Sequence, residues 1–286
     1  MSQNTNIELE ISKIKNLPPL PEASIRIITA VNDSDISVEE LVDVLSISPV
    51  LVARLLGLAN SAYFGRAGKI DNLRIAIIQV LGLNLVKSLV LSIVLNNELK
   101  TLECAKFDAD FFWSHALTTA LVAQKLAMKI DDDLMQPNIV YTSGLLLNIG
   151  LLAAIHISPK EMGKVFSLSG RTEGSVINEM RSIVGKTQYE IGGMLLERWS
   201  LPIVYQTVLK QFRQPDFMGD EKRLVGLLEL SHWVAAYIVC NKVDDIPDYS
   251  ELLNRLSLSQ DLFVKVVDDT VKNIDNIQDL ASVISG

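Results

Sequence analysis

The histidines are the side chains best suited to acid–base or metal chemistry, and the chain contains three of them. His115 follows an aromatic run in an amphipathic segment, His156 ends a long uncharged stretch, and His232 lies between a serine and a tryptophan. No HExxH or HxxxH spacing and no His-Asp dipeptide occurs in the sequence. Each histidine alone is therefore more typical of a buried side chain with one hydrogen-bond partner than of a metal ligand.

Other motifs that would indicate an enzyme are missing from the sequence. It has no Gly-x-Ser-x-Gly, GxGxxG or P-loop pattern, so nucleophile-elbow hydrolases and the common nucleotide-binding folds lose support. Cys104 and Cys240 fit no zinc-binding spacing, which indicates two buried thiols in a reducing cytoplasm. Gly192 and Gly193 fall inside a helical pattern, where we expect a close approach between two helices.

The composition is that of an ordered protein without a general affinity for nucleic acid. Hydrophobic residues make up 49% of the 286 residues and the mean hydropathy is +0.28, so the chain can bury a large core. The formal charge of −8 and the pI near 5.0 provide no basic field for phosphate backbones. The first ten residues carry no apolar signal-peptide core, and we expect a cytoplasmic protein.

One stretch, residues 139–157, raises the question of a membrane. It is uncharged and long enough to cross a bilayer. It also contains Asn148 and His156, and no cluster of Lys and Arg flanks it to set an orientation. We therefore interpret it as a buried central helix and predict no membrane span.

Helices must position these residues, because apolar side chains recur on a helical period along almost the whole chain. Capping signals at Ser37 and at Ser48-Pro49 mark helix starts, and no strand alternation or Asn-Gly hairpin turn is present. We predict an all-α, multi-helix fold. The predicted helices begin at Pro21, Ser37 and Ser48 and then cover 72–81, 83–99, 108–130, 137–157, 159–168, 174–184, 187–199, 202–213, 219–241, 248–256 and 260–284, the last one broken near Asn273.

The most polar break in the helical pattern, residues 96–110, suggests a division into two parts. We expect an N-terminal helical part over residues 1–100 and a C-terminal helical part over residues 101–286. The break is short, which predicts that the two parts pack against each other.

Six short motifs follow one another in a defined order. They are Leu17-Pro18-Pro19-Leu20-Pro21, Ala59-Asn60-Ser61-Ala62-Tyr63-Phe64-Gly65, Ala76 with Leu81-Gly82, Phe112-Trp113-Ser114-His115, Ser143-Gly144-Leu145-Leu146 with Ile149-Gly150, and residues 195–202, which end in Trp-x-Leu-Pro. Together, over about residues 14–215, they resemble the HDOD family, the HD-related output domain of bacterial signalling proteins.

The resemblance implies an all-α fold whose C-terminal part is related to HD phosphohydrolases. Catalytic HD proteins hold divalent metal with a His, a His-Asp pair and a distant Asp, and His115 matches the first of these. Leu147-Asn148 stands at the His-Asp position, so hydrocarbon replaces an imidazole and a neutral amide replaces a carboxylate.

Further positions also depart from the family's metal-binding pattern. Thr187-Gln188-Tyr189 and Gln211-Phe212 stand where relatives carry histidines, and Ser231 or His232 stands where an Asp is expected. A hydrolytic metal centre needs three or more protein ligands and an open position for water. The resemblance therefore implies no catalytic residue, no metal and no cofactor in this chain.

The favoured hypothesis is a non-enzymatic regulatory module in bacterial signal transduction that binds a partner protein in trans. The candidate contact elements are residues 18–21 and the loop after Asn60, with Asn60, Ser61, Tyr63 and Phe64 as contact residues. A structural interpretation competes for these residues, and we favour it: the prolines stiffen the chain, Asn60 caps a helix and the aromatic rings fill the core.

Two alternatives use the degenerate HD site. In the first, His115, Asn148 and His232 line a vestigial pocket that binds a nucleotide or phosphate without cleaving it, and Lys87 or Arg74 reaches a phosphate group. In the second, His115 and His232 retain a metal-dependent phosphohydrolase activity. The sequence leaves the oligomeric state and the identity of the partner open.

Overall fold

Helices form every regular element in the part of the chain that the structure describes. The computed structural model describes residues 20–64, 68–99, 104, 106–130, 132–169, 173–214, 216–243 and 246–285. No strand occurs within these ranges, which confirms the all-α prediction. Residues 17–19 of the first motif and residues 65–67, which include Gly65 of the second motif, lie outside the described residues.

The helix boundaries follow the predicted ones in most of the chain. The α-helices are α1 (Glu22–Asn32), α2 (Val38–Leu45), α3 (Pro49–Ala59), α4 (Leu73–Ala76), α5 (Leu83–Glu98), α6 (Ala109–Ala127), α7 (Pro137–Leu146), α8 (Ile149–Ile157), α9 (Pro159–Leu168), α10 (Glu173–Ile183), α11 (Gln188–Arg198), α12 (Ile203–Gln211), α13 (Lys222–Val239), α14 (Ser250–Leu256), α15 (Gln260–Val271) and α16 (Ile274–Ser285). Short 3-10 turns cover Ala62–Phe64 and Asp133–Met135, and a π-helical turn, Ile77–Leu81, continues α4. The break predicted near Asn273 separates α15 from α16.

Side-chain caps explain where several of these helices begin. The Ser37 hydroxyl accepts from the Glu40 amide at 3.1 Å, and the Glu40 carboxylate accepts from the Ser37 amide at 3.0 Å, which forms the predicted capping box of α2. Thr187 and Glu190 form the same arrangement at the start of α11. At the start of α3, the Ser48 hydroxyl accepts from the Leu51 amide ahead of a proline in the first turn.

The predicted helix over residues 137–157 is wrong in one respect, because α7 ends before Asn148 and α8 begins after it. Asn148 has φ −99° and ψ 11°, outside the helical region. Asparagine competes poorly for helical positions because its short side chain favours turns and caps. The uncharged stretch therefore consists of two helices joined at Leu147-Asn148.

By length and composition the stretch Pro137–Ile157 could cross a membrane, as could the pair Leu73–Leu81 and Leu83–Glu98 if counted as one span. Within Pro137–Ile157, 78% of the most apolar window is buried inside the protein. Buried core helices have the same composition, and this burial supports the interpretation of an interior helix.

The helices group into two compact units. Among the described residues, unit 1 contains Leu20, the segment Asn96–Asp108 and the helices of Leu146–Gln214, whereas unit 2 contains Pro21–Leu95, Ala109–Leu145 and the residues from 216 onward. The polar break near residue 100 thus falls in Asn96–Asp108, a segment of unit 1 that comes in the sequence between two segments of unit 2. The division at residue 100 differs from this spatial grouping, and as a statement about separately folding parts it stays a prediction.

Unit 2 is organised around α6. This helix packs along α13, α15 and α16, and its residue Trp113 is fully buried. The helix α1 packs on α2, α4 packs on both α2 and α3, and α16 also contacts α3. Residues from both ends of the described chain thus share one core in unit 2.

Unit 1 is organised around α11, which packs against α8 and α12. At its crossing with α8, a Cβ added to Gly150 would lie 1.9 Å from the Gln188 carbonyl oxygen and 2.3 Å from the Gly192 nitrogen. A Cβ on Gly193 would lie 2.4 Å from the Lys210 side chain. The close approach predicted at Gly192-Gly193 is therefore confirmed.

Candidate functional site

The side chain of Asn60 closes the segment that follows α3 in unit 2. Its Nδ2 donates to the carbonyl oxygens of Leu56 and Ile70, each at 2.7 Å, and its Oδ1 accepts from the Ile70 amide at 2.7 Å. A carboxamide can donate two hydrogen bonds and accept one at the same time, whereas an ionised carboxylate only accepts and a hydroxyl has a single proton to donate. The chain therefore leaves α3 at Asn60 and returns to it at Ile70, and one asparagine holds these two points together.

The Ala62–Phe64 turn begins this loop, and its two aromatic rings lie side by side. The Tyr63 and Phe64 rings make an edge-to-face contact with centroids 5.0 Å apart, and both residues are partly exposed. Burial raises the pKa of Tyr63 above its ordinary value, and burial followed by the proximity of Tyr63 raises the pKa of Tyr141. The turn therefore presents neutral aromatic groups at physiological pH.

The structure brings the predicted contact residues together in this one turn. Asn60 has the structural role that the sequence favoured, although it closes a loop as well as bonding to the end of α3. The Ser61 hydroxyl is buried and has no hydrogen-bond partner among the described residues. Contact of Tyr63 and Phe64 with a partner protein stays a prediction.

His115 and His232 also lie together, at the crossing of α6 and α13 in unit 2. His115 Nε2 is 3.1 Å from the backbone oxygen of His232, and the ring centroids are 4.6 Å apart. Because a carbonyl oxygen only accepts, His115 Nε2 must carry a proton in this arrangement. Both residues are less than 10% exposed. A protonated Nε2 has no lone pair to offer to a metal ion.

Leu147 and Asn148 lie in the other unit, between α7 and α8. Leu147 is fully buried, and the Asn148 side chain makes no capping hydrogen bond to α8. His156 is eight residues further on, in the last turn of α8. The vestigial pocket of His115, Asn148 and His232 combines residues of both units and stays a prediction.

The two cations considered for phosphate binding have protein partners within unit 2. Lys87 donates to the backbone oxygen of Asp33, and burial is the main cause that lowers the pKa of this lysine. Arg74 forms an ion pair with Glu39 at 2.9 Å. Each would have to exchange its present partner for a phosphate oxygen.

The donor set does not fit the divalent metal of HD phosphohydrolases. Leu147 has no donor atom, Asn148 is neutral, and His115 donates to a carbonyl. Within the described ranges no three His, Cys, Asp or Glu side chains are placed to hold one ion.

The sequence did not indicate the role of α16 beside the turn. This helix contacts α3, α6 and the Ala62–Phe64 turn. The signal that could have shown an inward face is the spacing of Ile277, Leu280, Ala281 and Ile284, which recur at i, i+3, i+4 and i+7. Spacing reveals that a face is buried, but it does not reveal against what.

Comparison with known proteins agrees with these motifs and with the fold. A family model described as HDOD domain matches residues 17–215. A solved structure from Marinobacter aquaeolei VT8, described as a signal transduction protein, shares 25% identity and a TM-score of 0.80 over 95% of this chain and 60% of that one. One from Shewanella amazonensis SB2B, described as a phosphohydrolase, shares 23% identity and a TM-score of 0.75 over 96% and 97% of the two chains, which shows the fold alone.

A curated relative, an uncharacterized protein of Treponema pallidum (strain Nichols), is 25% identical over 241 residues, which cover 83% of this chain and 46% of the relative. The chain thus spans about half the length of this relative and 60% of the Marinobacter chain. Because the family match over residues 17–215 takes in well over half of the sequence, the chain belongs to the HDOD family.

Proposed function

We propose that this chain is a non-enzymatic regulatory module of bacterial signal transduction that acts by binding a partner protein in trans. Its HDOD membership and its similarity to a signal transduction protein of Marinobacter support the signalling role. The proposal places it in the cytoplasm, where both thiols would stay reduced. Cys104 is buried as predicted, whereas the prediction that Cys240 is buried is wrong, because its side chain is exposed just after α13.

The observation that carries the binding part of the proposal is the closed turn after α3. The Asn60 carboxamide makes three hydrogen bonds of 2.7 Å, and these hold Ile70 against the end of α3. An element ordered before binding loses less conformational entropy when a partner docks on it. Partly exposed aromatic rings such as those of Tyr63 and Phe64 supply large contact area for few rotatable bonds.

The same proposal holds that the chain does not hydrolyse phosphoesters. Hydrolysis in HD proteins requires an ion held by several protein ligands with an open position for water. Leucine and a neutral amide at the position of the His-Asp pair remove two of those ligands, and the hydrogen bond of His115 to a carbonyl competes with a third. Water on a loosely held ion would not be oriented for attack.

The binding proposal is tested by capture of proteins from the native cytoplasm on the immobilised full chain. The variants are Phe64→Ala, which removes one ring, and Asn60→Asp, which loses both Nδ2 donor bonds. We expect each to reduce the amount of a specifically captured protein at least about tenfold, the loss typical of one binding hot spot.

Asn84→Asp is the matched control for Asn60→Asp, because Asn84 is exposed in the first turn of α5. It introduces the same charge where a helix N-terminus tolerates it. Capture that is equal for the wild type, Phe64→Ala and Asn60→Asp would contradict binding through the turn. Stoichiometric iron, manganese or zinc in protein purified without chelator, with phosphoester turnover abolished by His115→Ala, would contradict the non-enzymatic assignment.

A further inference from the structure

The helix α16 lies beyond the matched residues 17–215 and has a fully buried apolar face. The residues of that face are Ile277, Leu280, Ala281 and Ile284, and none is more than 4% exposed. The face packs on α3 and α6, and α16 also contacts the Ala62–Phe64 turn. One helix therefore touches both the turn and the two helices behind it.

Polar contacts fix the last turn of α16. Arg54 of α3 donates from Nη1 to the Ile284 carbonyl oxygen at 2.9 Å, and the Ser285 hydroxyl bonds to the Asp110 carboxylate at the start of α6. The last carbonyl groups of a helix lack partners within it and carry the negative end of its dipole. A guanidinium and a second helix thus stabilise this end of α16.

The same end of α16 lies against the last turn of α3. A Cβ added to Gly57 would be 3.8 Å from Val283 Cγ1, an ordinary contact. Gly57 precedes Asn60 by three residues, so it belongs to the helical turn whose Leu56 carbonyl binds the Asn60 side chain. The contact therefore runs without interruption from α16 through the end of α3 to the residue that closes the loop.

We propose that α16 is the positioning element of the Ala62–Phe64 turn, which keeps its arrangement only while α16 is docked on α3 and α6. The binding module is then unit 2 together with its C-terminal helix, and it extends beyond the residues that define the family match. The inference rests on the proposed function only for the use of the turn as a binding surface. The dependence of the turn on α16 is a separate statement with its own measurement.

That measurement is backbone hydrogen exchange in the full chain. Leu280→Ala removes a buried side chain from the docked face of α16, and Gln278→Ala changes an exposed residue of the same helix. We expect Leu280→Ala to raise exchange in α16 and at residues 61–64 at least about tenfold, with α13 and α11 unchanged, because local opening is set by local packing. We expect no change anywhere for Gln278→Ala.

Two results would overturn the inference. Faster exchange in α16 with unchanged exchange at residues 61–64 would show that the turn stands without the helix. An equal increase in α13 would show that Leu280 only stabilises unit 2 as a whole. If Leu280→Ala does not fold, Arg54→Met loosens α16 by removing one hydrogen bond and gives the same test.

A disulfide provides the converse experiment. A Cβ at Gly57 would lie 3.8 Å from Val283 Cγ1, so Gly57→Cys/Val283→Cys places two cysteine side chains in contact. In the Leu280→Ala background, the oxidised form is expected to return exchange at residues 61–64 to the wild-type rate, and the reduced form is not. If oxidation does not restore the wild-type exchange rate at residues 61–64, positioning of the turn by α16 is contradicted. If the capture of cytoplasmic proteins does not depend on the turn, the proposed function is wrong. The exchange results would still decide whether α16 positions the turn.

Discussion

Two helix crossings, one in each unit, are built by opposite means. In unit 1, α8 and α11 meet through Gly150 and Gly192, where backbone atoms occupy the space that a Cβ would need. In unit 2, α6 and α13 meet through polar side chains, with the His115 ring against the backbone and ring of His232. The first crossing tolerates no added side-chain volume, whereas the second depends on a hydrogen bond. Substitutions at the two crossings should therefore change the free energy of unfolding by different amounts.

Gly150→Ala is expected to have the largest effect, because the new Cβ would meet the Gln188 carbonyl oxygen at 1.9 Å and the Gly192 nitrogen at 2.3 Å. Both are backbone atoms, which cannot turn aside as a side chain can. The helices must separate, and we expect a loss of at least about 3 kcal/mol in the free energy of unfolding, measured with urea.

Gly163→Ala is the control in the same unit, since Gly163 lies in α9 with nothing within 4 Å of an added Cβ. Alanine in a helix interior should stabilise by roughly 0.5–1 kcal/mol. Equal destabilisation by the two substitutions would show that helix propensity or general packing, and not the crossing at Gly150, sets the response.

His115→Leu tests the polar crossing and is expected to cost about 2 kcal/mol. Leucine fills much of the imidazole volume, but it removes the donor to the His232 carbonyl oxygen. Urea unfolding measures the change, and His156→Leu in the last turn of α8 is the half-buried control. A larger loss for His115→Leu than for Gly150→Ala would reverse the comparison between the crossings.

The sequence predicts the elements of both crossings better than their contacts. Period and capping signals located the helices, including the capping box at Ser37 and the break near Asn273. They also indicated close packing at Gly192, because glycine disfavours a helix interior and its presence there is typical of a close approach by another helix. The break at Asn148 was missed because the apolar pattern continues through it.

The site was less predictable because its contacts join residues far apart in the chain. The order of the motifs indicated Asn60, Tyr63 and Phe64 as candidate residues. The hydrogen bond from the Ile70 amide to Asn60 could not be predicted, because it depends on where the chain returns to α3. The meeting of His115 with His232 spans 117 residues, and that of Arg54 with Ile284 spans 230. Helical periodicity carries no information on such pairs, which are set by tertiary packing.

Tyr141 extends the comparison to pH, because it is a buried ionisable group of unit 2. Burial, with a smaller effect of Tyr63, raises the pKa of Tyr141 above its ordinary value of 10.0. Above pH 10 the unfolded chain loses this proton while the folded chain keeps it, so the contribution of Tyr141 to stability is constant below pH 10 and falls above it. Above pH 10 we expect the wild type to lose about 1.4 kcal/mol per pH unit more than Tyr141→Phe, as measured by urea unfolding at pH 9 and 11. Parallel pH curves for the two proteins would contradict this assignment.

The capping boxes provide the smallest test, since one of similar geometry opens α2 in unit 2 and α11 in unit 1. Removal of the hydroxyl in Ser37→Ala or Thr187→Ala should cost about 1 kcal/mol.

At α2 the backbone amide and then the hydroxyl of Ser37 lower the pKa of Glu40 from its ordinary value of 4.5. The carboxylate therefore stabilises the fold above pH 4.5, and its contribution is lost as the pH falls through the lowered value. The difference between wild type and Ser37→Ala should accordingly shrink in acid, as followed by thermal unfolding between pH 7 and 3. A constant difference over that range would mean that the Ser37 hydroxyl acts only on the Glu40 amide and does not stabilise the Glu40 carboxylate.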